Sequence, residues 1–171
     1  MVNYEIKRVE INDIGDYLKL NVQCWNETYK GIIEDNFLEK IKKELNQNIV
    51  KLKNEFDKEI DYMYMLIYNN KPVGITWIGS SRIENHLEDG ELYSIYLLNE
   101  VKGKGFGKIL FNHDIKVLKE LGYKNMVLGC LKDNKTANEF YKYMGGIYDY
   151  TRNIKIGNQQ LEENIYYFNN I

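Results

Sequence analysis

The sequence feature that most restricts the fold is a run of three alternating glycines between two apolar segments of different period. Gly103, Gly105 and Gly107 follow residues 91–98, which are rich in aromatic and aliphatic side chains and indicate a strand. They introduce residues 105–121, in which apolar side chains recur at helical spacing. A strand that passes through a tight turn into a helix is typical of a crossover between parallel strands. The chain is therefore predicted to contain a βαβ unit within an open sheet.

The rest of the chain supplies further elements on both sides of this unit. Helices are predicted from a cap at Asn12 or Asp13 to Gly31, and over residues 34–56 and 134–144. Strands are predicted over residues 4–9, 62–68, 72–78, 125–131, 147–156 and 161–168, with turns at 69–71 and 157–158 and a polar loop at 80–89. The order βααβββαβαββ predicts an α+β (mixed α/β) fold, in which helices cover one central sheet. We expect a single domain that spans residues 1–171.

Composition and charge exclude several classes of function. The 171 residues carry a net charge of −2, which gives no overall attraction to nucleic acid or to an anionic membrane. The first ten residues are charged where a signal peptide would need an apolar core, and no apolar run approaches the roughly 20 residues that span a bilayer. We therefore expect a cytoplasmic protein. Cys24 and Cys130 fit no metal or redox spacing, so both are expected to be reduced and buried, and no metal site is predicted.

The glycine run is suited to binding a diphosphate. Glycines allow positive φ and close approach of the backbone, so that successive N–H groups can face one concavity at the N-terminus of a helix. Lys102, Lys104 and Lys108 add positive charge. The spacing does not fit a Walker loop, because Ile109 follows Lys108 where Ser or Thr is needed, and it does not fit the G-x-G-x-x-G dinucleotide pattern. A flexible turn with solvated lysines is the alternative.

Two segments resemble the motifs of the GNAT N-acetyltransferase superfamily. The first is Ile95-Tyr96-Leu97 followed by Lys102-x-x-Gly105-Phe106-Gly107, where the family has Gln or Arg in place of Lys102 and often proline in place of Asn99. The second, further along the chain, is Asn134-x-x-Ala137-x-x-Phe140-Tyr141-x-x-Met144-Gly145-Gly146. The resemblance covers the chain well from residue 91 to its end, and more weakly through the segment Trp25-Asn26-Glu27-Thr28-Tyr29-Lys30-Gly31.

The resemblance implies a GNAT-like fold, with a central, twisted and mostly antiparallel sheet of about seven strands, a βαβ crossover and flanking helices. It also implies an acyl-coenzyme A-dependent N-acyltransferase that uses acetyl-CoA (coenzyme A) as its co-substrate. In the family, backbone groups of the strand, here at Ile95, Tyr96 and Leu97, bind the pantetheine arm. The diphosphate is then bound around the glycine run, at Lys102, Gly103, Lys104, Gly105, Phe106, Gly107 and Lys108. Asn134 would hydrogen-bond the cofactor, cap its own helix, or do both.

The resemblance also assigns two residues to the chemistry. Tyr141 would lie against the cofactor beside its sulfur and protonate the departing thiolate, because a phenol remains protonated at neutral pH. Its alternative role is that of a packing aromatic. Glu91 would take the proton of the acceptor's ammonium group, directly or through water, and its alternative is a solvated strand-end carboxylate. Glu88 and Asp89 compete for the role of base. A backbone N–H near Leu97, exposed by a bulge in its strand, would face the developing oxyanion.

The acceptor side is less specified than the cofactor side. Trp25 and Tyr29 could line it, or could pack in the core from one helical face. Acidic side chains near the expected mouth favour a cationic acceptor; they are Glu27, Glu34, Asp35, Glu84, Glu88 and Asp89. His86 and His113 are expected to be ordinary surface or packing histidines.

These assignments predict an N-acetyltransferase that transfers the acetyl group of acetyl-CoA to a primary amine of a small, polyamine-like molecule by direct nucleophilic attack. One alternative is acetylation of peptide or protein N-termini, and another is a coenzyme A-binding regulatory module without turnover. The expected partner is the small-molecule amine, with no nucleic acid and no membrane, and exposed terminal strands would permit a homodimer.

Overall fold

The elements of the fold follow the predicted order, with one α-helix more. The computed structural model describes residues 3–171, so Met1 and Val2, the first residues of the charged N-terminal segment, lie outside the described residues. The strands are β1 (Tyr4–Arg8), β2 (Tyr62–Tyr68), β3 (Lys71–Ser80), β4 (Gly90–Leu97), β5 (Met126–Leu131), β6 (Ile147–Ile156) and β7 (Gln159–Phe168). The helices are α1 (Ile14–Tyr29), α2 (Asp35–Lys43), α3 (Leu45–Glu55), α4 (Phe106–Glu120) and α5 (Lys135–Tyr143).

The seven strands form one sheet in the order β1-β2-β3-β4-β5-β7-β6. Neighbouring strands are antiparallel except β4 and β5, which are parallel and are joined through α4. The mixed α+β fold with a mostly antiparallel sheet and a βαβ crossover is thus confirmed. The turn predicted at residues 69–71 joins β2 and β3 into an antiparallel hairpin, with Asn69 and Asn70 at φ angles of 50° and 62°. Asparagine tolerates this left-handed conformation better than most residues that carry a Cβ.

The helices divide between the two faces of the sheet. The hydroxyl of Thr76 in β3 bonds to Asp114 of α4 at 2.6 Å, and we call this side the α4 face. Successive strand residues point to opposite faces, so Ile75 points to the other side, where it packs in one cluster with Tyr17 of α1; we call this side the α1 face. Tyr96 lies opposite Ile75 in the pairing of β3 with β4, so it is on the α1 face as well. A gap between two strands of the sheet would therefore open onto the α4 face on one side and onto the α1 face on the other.

The single helix predicted over residues 34–56 is wrong, because the chain forms α2 and α3 with a break at Glu44. No glycine or proline marks the break. Leu38 of α2 packs in a cluster with Leu131 of β5, whereas Leu52 of α3 packs against the cluster around α1 and the first strands. One straight helix could not turn its apolar stripe toward both clusters.

Candidate active site

The sheet opens between β4 and β5. Their parallel pairing consists of two residue pairs, Gly90 with Met126 and Glu91 with Val127, after which the strands diverge. A β-bulge falls at Tyr93, where β4 has one residue more than β3. Bulges increase the local bend and twist of a strand. In the described part of the chain, the edge of β4 that faces β5 therefore has no partner strand beyond Glu91.

A cavity of about 460 Å³ fills this opening and reaches both faces of the sheet. The glycine run at residues 103–107, which we call the glycine turn, lines the cavity on the α4 face together with Tyr141 of α5. Thr28, Tyr29 and Tyr96 line it on the α1 face. The predicted site residues that line the cavity are Tyr29, Ile95, Tyr96, Leu97, Lys102, Gly103, Gly105, Gly107, Lys108, Asn134 and Tyr141. The structure therefore brings most of the predicted residues together around one space.

The glycine turn presents free amide groups at the start of α4. Gly103 and Gly105 lie at positive φ, 77° and 84°, and Gly105 is the N-cap of the helix. Within residues 3–171, the N–H groups of Gly103, Lys104 and Gly105 donate to no acceptor. The first turn of α4 adds its own unpaired amides and the positive end of the helix dipole. Such an array fits a diphosphate without needing charge from side chains.

The three lysines of the turn are placed differently. Lys102 lines the cavity, and its Nζ donates to Asn99 Oδ1 at 2.7 Å. Lys108 also lines the cavity, with its Nζ 5.9 Å from the centre of the Tyr143 ring. The Nζ of Lys104 lies instead 5.8 Å from the centre of the Tyr68 ring on β2. The structure thus brings two of the three predicted cations to the cavity, and not the ammonium of Lys104.

The side chain of Phe106 belongs to the core. It is 2% exposed and packs against Tyr4 and Tyr68. Phe106 is the first residue of α4, so its backbone amide still lies in the first turn of the helix. For Phe106, as for Lys104, the part of the residue that can serve the predicted site is therefore the N–H group.

Tyr141 faces the cavity from α5. It is 8% exposed, it lines the cavity, and its hydroxyl forms no hydrogen bond with another described residue. Burial raises the pKa of Tyr141 well above its ordinary value of 10, and the neighbouring Cys130 raises this pKa further. A phenol that remains protonated is able to donate a proton, so the environment of Tyr141 suits a general acid.

Asn134 both caps α5 and lines the cavity. Its side-chain oxygen accepts a hydrogen bond from the Ala137 N–H at 3.3 Å, which confirms the N-cap. The residue also borders the cavity next to Ala137 and Phe140. The predicted contact with the cofactor is compatible with this position and stays a prediction.

Glu91 is not brought into the cavity. It is 7% exposed and lies opposite Gly79 in the pairing of β3 with β4. Its Oε2 accepts a hydrogen bond from the Arg82 N–H at 2.6 Å, and its Oε1 lies 3.6 Å from the Arg82 guanidinium. The carboxylate thus ties the loop after β3 to β4, and it is not the solvated group that was the alternative. Glu88 and Asp89 do not line the cavity either.

The two predicted acceptor-side residues have different positions. The hydroxyl of Tyr29 shares a hydrogen bond of 2.9 Å with the hydroxyl of Tyr96, and both residues line the cavity. Trp25 does not line it. Its ring packs edge-on against Tyr29, with ring centres 4.9 Å apart, and against Phe37 at 6.2 Å. Trp25 therefore packs against Tyr29 without lining the cavity, which agrees with the alternative that Trp25 is a core residue.

The bulge in β4 lies at Tyr93 and not near Leu97. Leu97 pairs with Gly74 in regular register, and its side chain occupies the space beside that glycine. The prediction of a bulge in this strand is right and its position is wrong, because the apolar run of residues 91–98 gives no sign of an inserted residue. The backbone groups on the unpaired edge of β4 are the ones that face the cavity.

Several residues that line the cavity were not predicted from the sequence. They include Thr28, Tyr93, Ser94, Gly129, Cys130, Thr136 and Tyr143. Both cysteines are free and buried, as predicted. Burial raises the pKa of the Cys130 thiol to about 12, so it remains protonated. Gly129 could have been identified from the sequence, because a glycine inside a predicted strand often marks the close approach of another group.

The two histidines have structural partners. His86 lies between Asp89 and Asp149, at 3.1 and 2.8 Å, and His113 pairs with Asp114 at 3.1 Å. Neither histidine lines the cavity. Over residues 3–171, no group of three or more His, Cys, Asp or Glu side chains is placed to hold a metal ion. The helices of this part of the chain are all too short or too polar to cross a membrane.

Comparisons with known proteins identify the family of this chain. The model of the acetyltransferase (GNAT) family matches residues 24–145. The N-acetyltransferase MJ1207 of Methanocaldococcus jannaschii is 31% identical over 83% of this chain, which covers 60% of that relative's length. The spermidine N(1)-acetyltransferase of Thermoplasma acidophilum is 24% identical over 82% of this chain and 86% of the relative.

A solved structure shows the same fold. The crystal structure of the PaiA N-acetyltransferase of Thermoplasma acidophilum, in complex with coenzyme A, superposes with a TM-score of 0.71 at 22% sequence identity. The superposition covers 94% of this chain and 98% of that one. With the family match over most of its length, the chain belongs to the GNAT acetyltransferase family and is an acetyl-coenzyme A-dependent N-acetyltransferase.

Proposed function

We propose that this enzyme acetylates a primary amine of a small, polyamine-like molecule by direct attack of the amine on acetyl-coenzyme A. The observation that carries the proposal is the cavity through the β4–β5 opening, which joins the glycine turn on the α4 face to tyrosine hydroxyls on the α1 face. Two substrates can meet there from opposite sides of the sheet. The raised pKa of Cys130 favours this direct route over an acylated cysteine, because the thiolate is the nucleophilic form.

On the α4 face, three parts of the chain would contact coenzyme A. The unpaired edge of β4 at Ile95, Tyr96 and Leu97 would bind the pantetheine amides like an added strand. The free amides that begin at Gly103 would bind the diphosphate, with Lys102 and Lys108 beside them. Asn134 would add a side-chain hydrogen bond from the start of α5.

The chemistry divides between Tyr141 and the backbone of β4. Acetyl-coenzyme A, when bound, supplies the thioester carbonyl that the amine attacks. Tyr141 would donate the proton that the leaving sulfur requires, because it stays protonated and has no competing hydrogen-bond partner among the described residues. An N–H group on the unpaired edge of β4 would stabilise the negative charge that develops on the carbonyl oxygen.

A cationic acceptor is supported by what surrounds the α1 side of the cavity. Tyr29 and Tyr96 line this side, and their hydroxyl oxygens, which share a hydrogen bond of 2.9 Å, can accept hydrogen bonds from an ammonium group. Beside this wall, between α1 and α2, a second cavity of about 700 Å³ is lined by three carboxylates and one lysine, namely Glu27, Asp35, Glu39 and Lys30. A long polycation that reached out of the first cavity would meet these carboxylates. The spermidine N(1)-acetyltransferase relative supports the same class of substrate.

A thiol-release assay across two panels tests the proposed function. We expect acetyl-coenzyme A to be consumed with spermidine, spermine or another small diamine, and not with peptides that carry a free N-terminus. Turnover with peptides alone would overturn the substrate class and favour N-terminal acetylation. Stabilisation by coenzyme A without turnover of any amine would favour a regulatory module.

Replacing Gly105 with alanine is expected to weaken coenzyme A binding. A Cβ at Gly105 would meet nothing within 4 Å, so space is not the constraint. The constraint is the φ angle of 84°, which costs a residue with a Cβ about 1–2 kcal/mol. If the turn relaxes to avoid that cost, its amides no longer converge, and we expect the dissociation constant to rise about tenfold. Calorimetric titration with coenzyme A measures it.

The matched control is Gly15→Ala in α1. A Cβ there also meets nothing within 4 Å, but φ is not positive. Alanine inside a helix is expected to stabilise the fold by about 0.5–1 kcal/mol and to leave coenzyme A binding unchanged. Equal affinity of the Gly105→Ala variant and the unchanged protein would argue against the glycine turn as the diphosphate site.

A cytoplasmic location and a homodimer stay predictions. In the described sheet, β1 and β6 are the edge strands, so either could pair with a second copy.

A further inference from the structure

Attack by a primary amine requires a group that accepts a proton from its ammonium form, and the lining of the cavity does not supply one directly. Within the described chain, no Asp or Glu is among the lining residues. Glu91, the base that the family resemblance suggests, is occupied by Arg82. A carboxylate does reach the cavity wall from outside the lining, and it comes from Glu163 in β7.

The carboxylate of Glu163 lies directly against Gly129, a residue that lines the cavity. A Cβ added at Gly129 would lie 2.5 Å from Cδ of Glu163, 2.6 Å from Oε1 and 2.8 Å from Oε2. Gly129 does not have positive φ, so its backbone does not demand glycine. Since glycine weakens the interior of a strand, its presence here is explained by the space that the Glu163 carboxylate takes.

The pairing of β5 with β7 sets the face on which Glu163 lies. Glu163 is opposite Leu131, and Leu131 packs in one cluster with Tyr29. Glu163 is therefore on the α1 face, the side from which the acceptor approaches. Burial raises the pKa values of the Tyr29 hydroxyl and the Cys130 thiol to about 12, and the charge of Glu163 raises both. Both of those residues line the cavity, so the charge is felt inside it.

One oxygen of this carboxylate is engaged and the other is free. The Nε of Arg152 donates to Oε2 at 2.7 Å. Oε1 accepts no hydrogen bond from any described residue, although the side chain is only 15% exposed. Oε1 is not one of the fully buried side-chain atoms, so a donor on a ligand can reach it and form the hydrogen bond that the chain does not supply.

We propose that Glu163 binds the ammonium group of the acceptor through Oε1 and takes one of its protons. This inference rests on the proposed function and deepens it. Proton transfer to Oε1 frees the nitrogen lone pair, which forms the C–N bond to the acetyl carbon as the C–S bond breaks. Tyr141 donates its proton to the leaving sulfur, and the second proton of the nitrogen passes through solvent to the Tyr141 phenolate and restores it. Acetamide and thiol are formed, and the proton on Glu163 returns to solvent, so that the step balances.

The competing explanation is a purely structural ion pair between Glu163 and Arg152. The variant Glu163→Gln distinguishes the two explanations. Glutamine keeps the shape of the side chain and can still accept the hydrogen bond from Arg152, but it carries no charge and is not a base. Binding of spermidine to the coenzyme A-loaded enzyme, in which no acetyl transfer occurs, is measured by calorimetry. We expect affinity for spermidine to fall about tenfold or more, with affinity for coenzyme A unchanged.

Turnover gives the second measurement. In Glu163→Gln we expect kcat/KM for spermidine to fall about 100-fold, with both kcat and KM affected. Glu162→Gln is the matched control, since Glu162 is the adjacent residue, is 52% exposed and pairs with Lys132. It should match the unchanged enzyme in both measurements. Glu163→Asp, which withdraws the carboxylate from Gly129 by one methylene group, should give an intermediate loss and carries the test if the glutamine variant does not fold.

The outcomes distinguish this inference from the proposed function. If the unchanged enzyme acetylates amines and Glu163→Gln keeps its kcat and its spermidine affinity, Glu163 has only the structural role and this inference is wrong. If the unchanged enzyme neither binds nor acetylates any amine of the panel, the proposed function fails and this inference fails with it.

Discussion

Replacing Tyr141 with phenylalanine is expected to lower kcat about 1,000-fold, the middle of the range for loss of a general acid. The hydroxyl faces the cavity, and burial keeps its pKa well above 10, so the wild-type residue holds its proton at neutral pH. The leaving thiolate would lose this donor in the variant. Thiol release under saturating substrates measures the effect.

The same substitution should leave the fold and the cofactor affinity unchanged. The Tyr141 hydroxyl forms no hydrogen bond with the described residues, and the ring that packs against Phe111 and Tyr166 is retained. The melting temperature and the dissociation constant for coenzyme A should therefore match those of the unchanged protein. Tyr148→Phe, which removes an exposed hydroxyl bonded to Thr151, is the control for loss of a phenol elsewhere. Normal turnover by Tyr141→Phe would exclude the residue from the chemistry.

Local patterns in the sequence were sufficient for most of the fold. The apolar run of β2, the Asn69-Asn70 turn and the glycines before α4 are each formed by residues that are close together along the chain. The break at Glu44 was missed because it depends on distant partners: α2 and α3 turn toward different clusters, and nothing in their own residues marks the division.

The candidate site was predictable on its cofactor side and much less so on its acceptor side. The glycine turn and the start of α5 are each formed by residues that are contiguous in the sequence. The residues of each motif therefore lie close together in any fold of the chain. Glu163 has no such motif. It reaches Gly129 because β7 inserts between β5 and β6, and that strand order is a non-local choice. Glu91 was assigned from its position in a strand, but the loop after β3 places Arg82 on its carboxylate.

Asn138 fixes α5, which carries Tyr141, to the strands that carry Glu163 and Gly129. Its Nδ2 donates to Leu131 O at 2.9 Å and to Asn134 O at 2.8 Å. Its Oδ1 accepts hydrogen bonds from Asn164 Nδ2 at 2.9 Å and from the Tyr166 hydroxyl at 2.8 Å. The side chain thus satisfies donors and acceptors from β5, α5 and β7 at a position that is only 5% exposed.

Replacing Asn138 with leucine is expected to lower the free energy of unfolding by about 2–4 kcal/mol. The Leu131 and Asn134 carbonyls each keep a backbone donor, so the cost falls mainly on Tyr166, whose hydroxyl would be left buried without a partner, and on Asn164. Urea denaturation measures the change, and Asn48→Leu on the exposed side of α3 is the control for the same substitution in a helix. Stability equal to that of the unchanged protein would mean that α5 is held to the sheet by its apolar contacts, and that Tyr141 owes its position to packing alone.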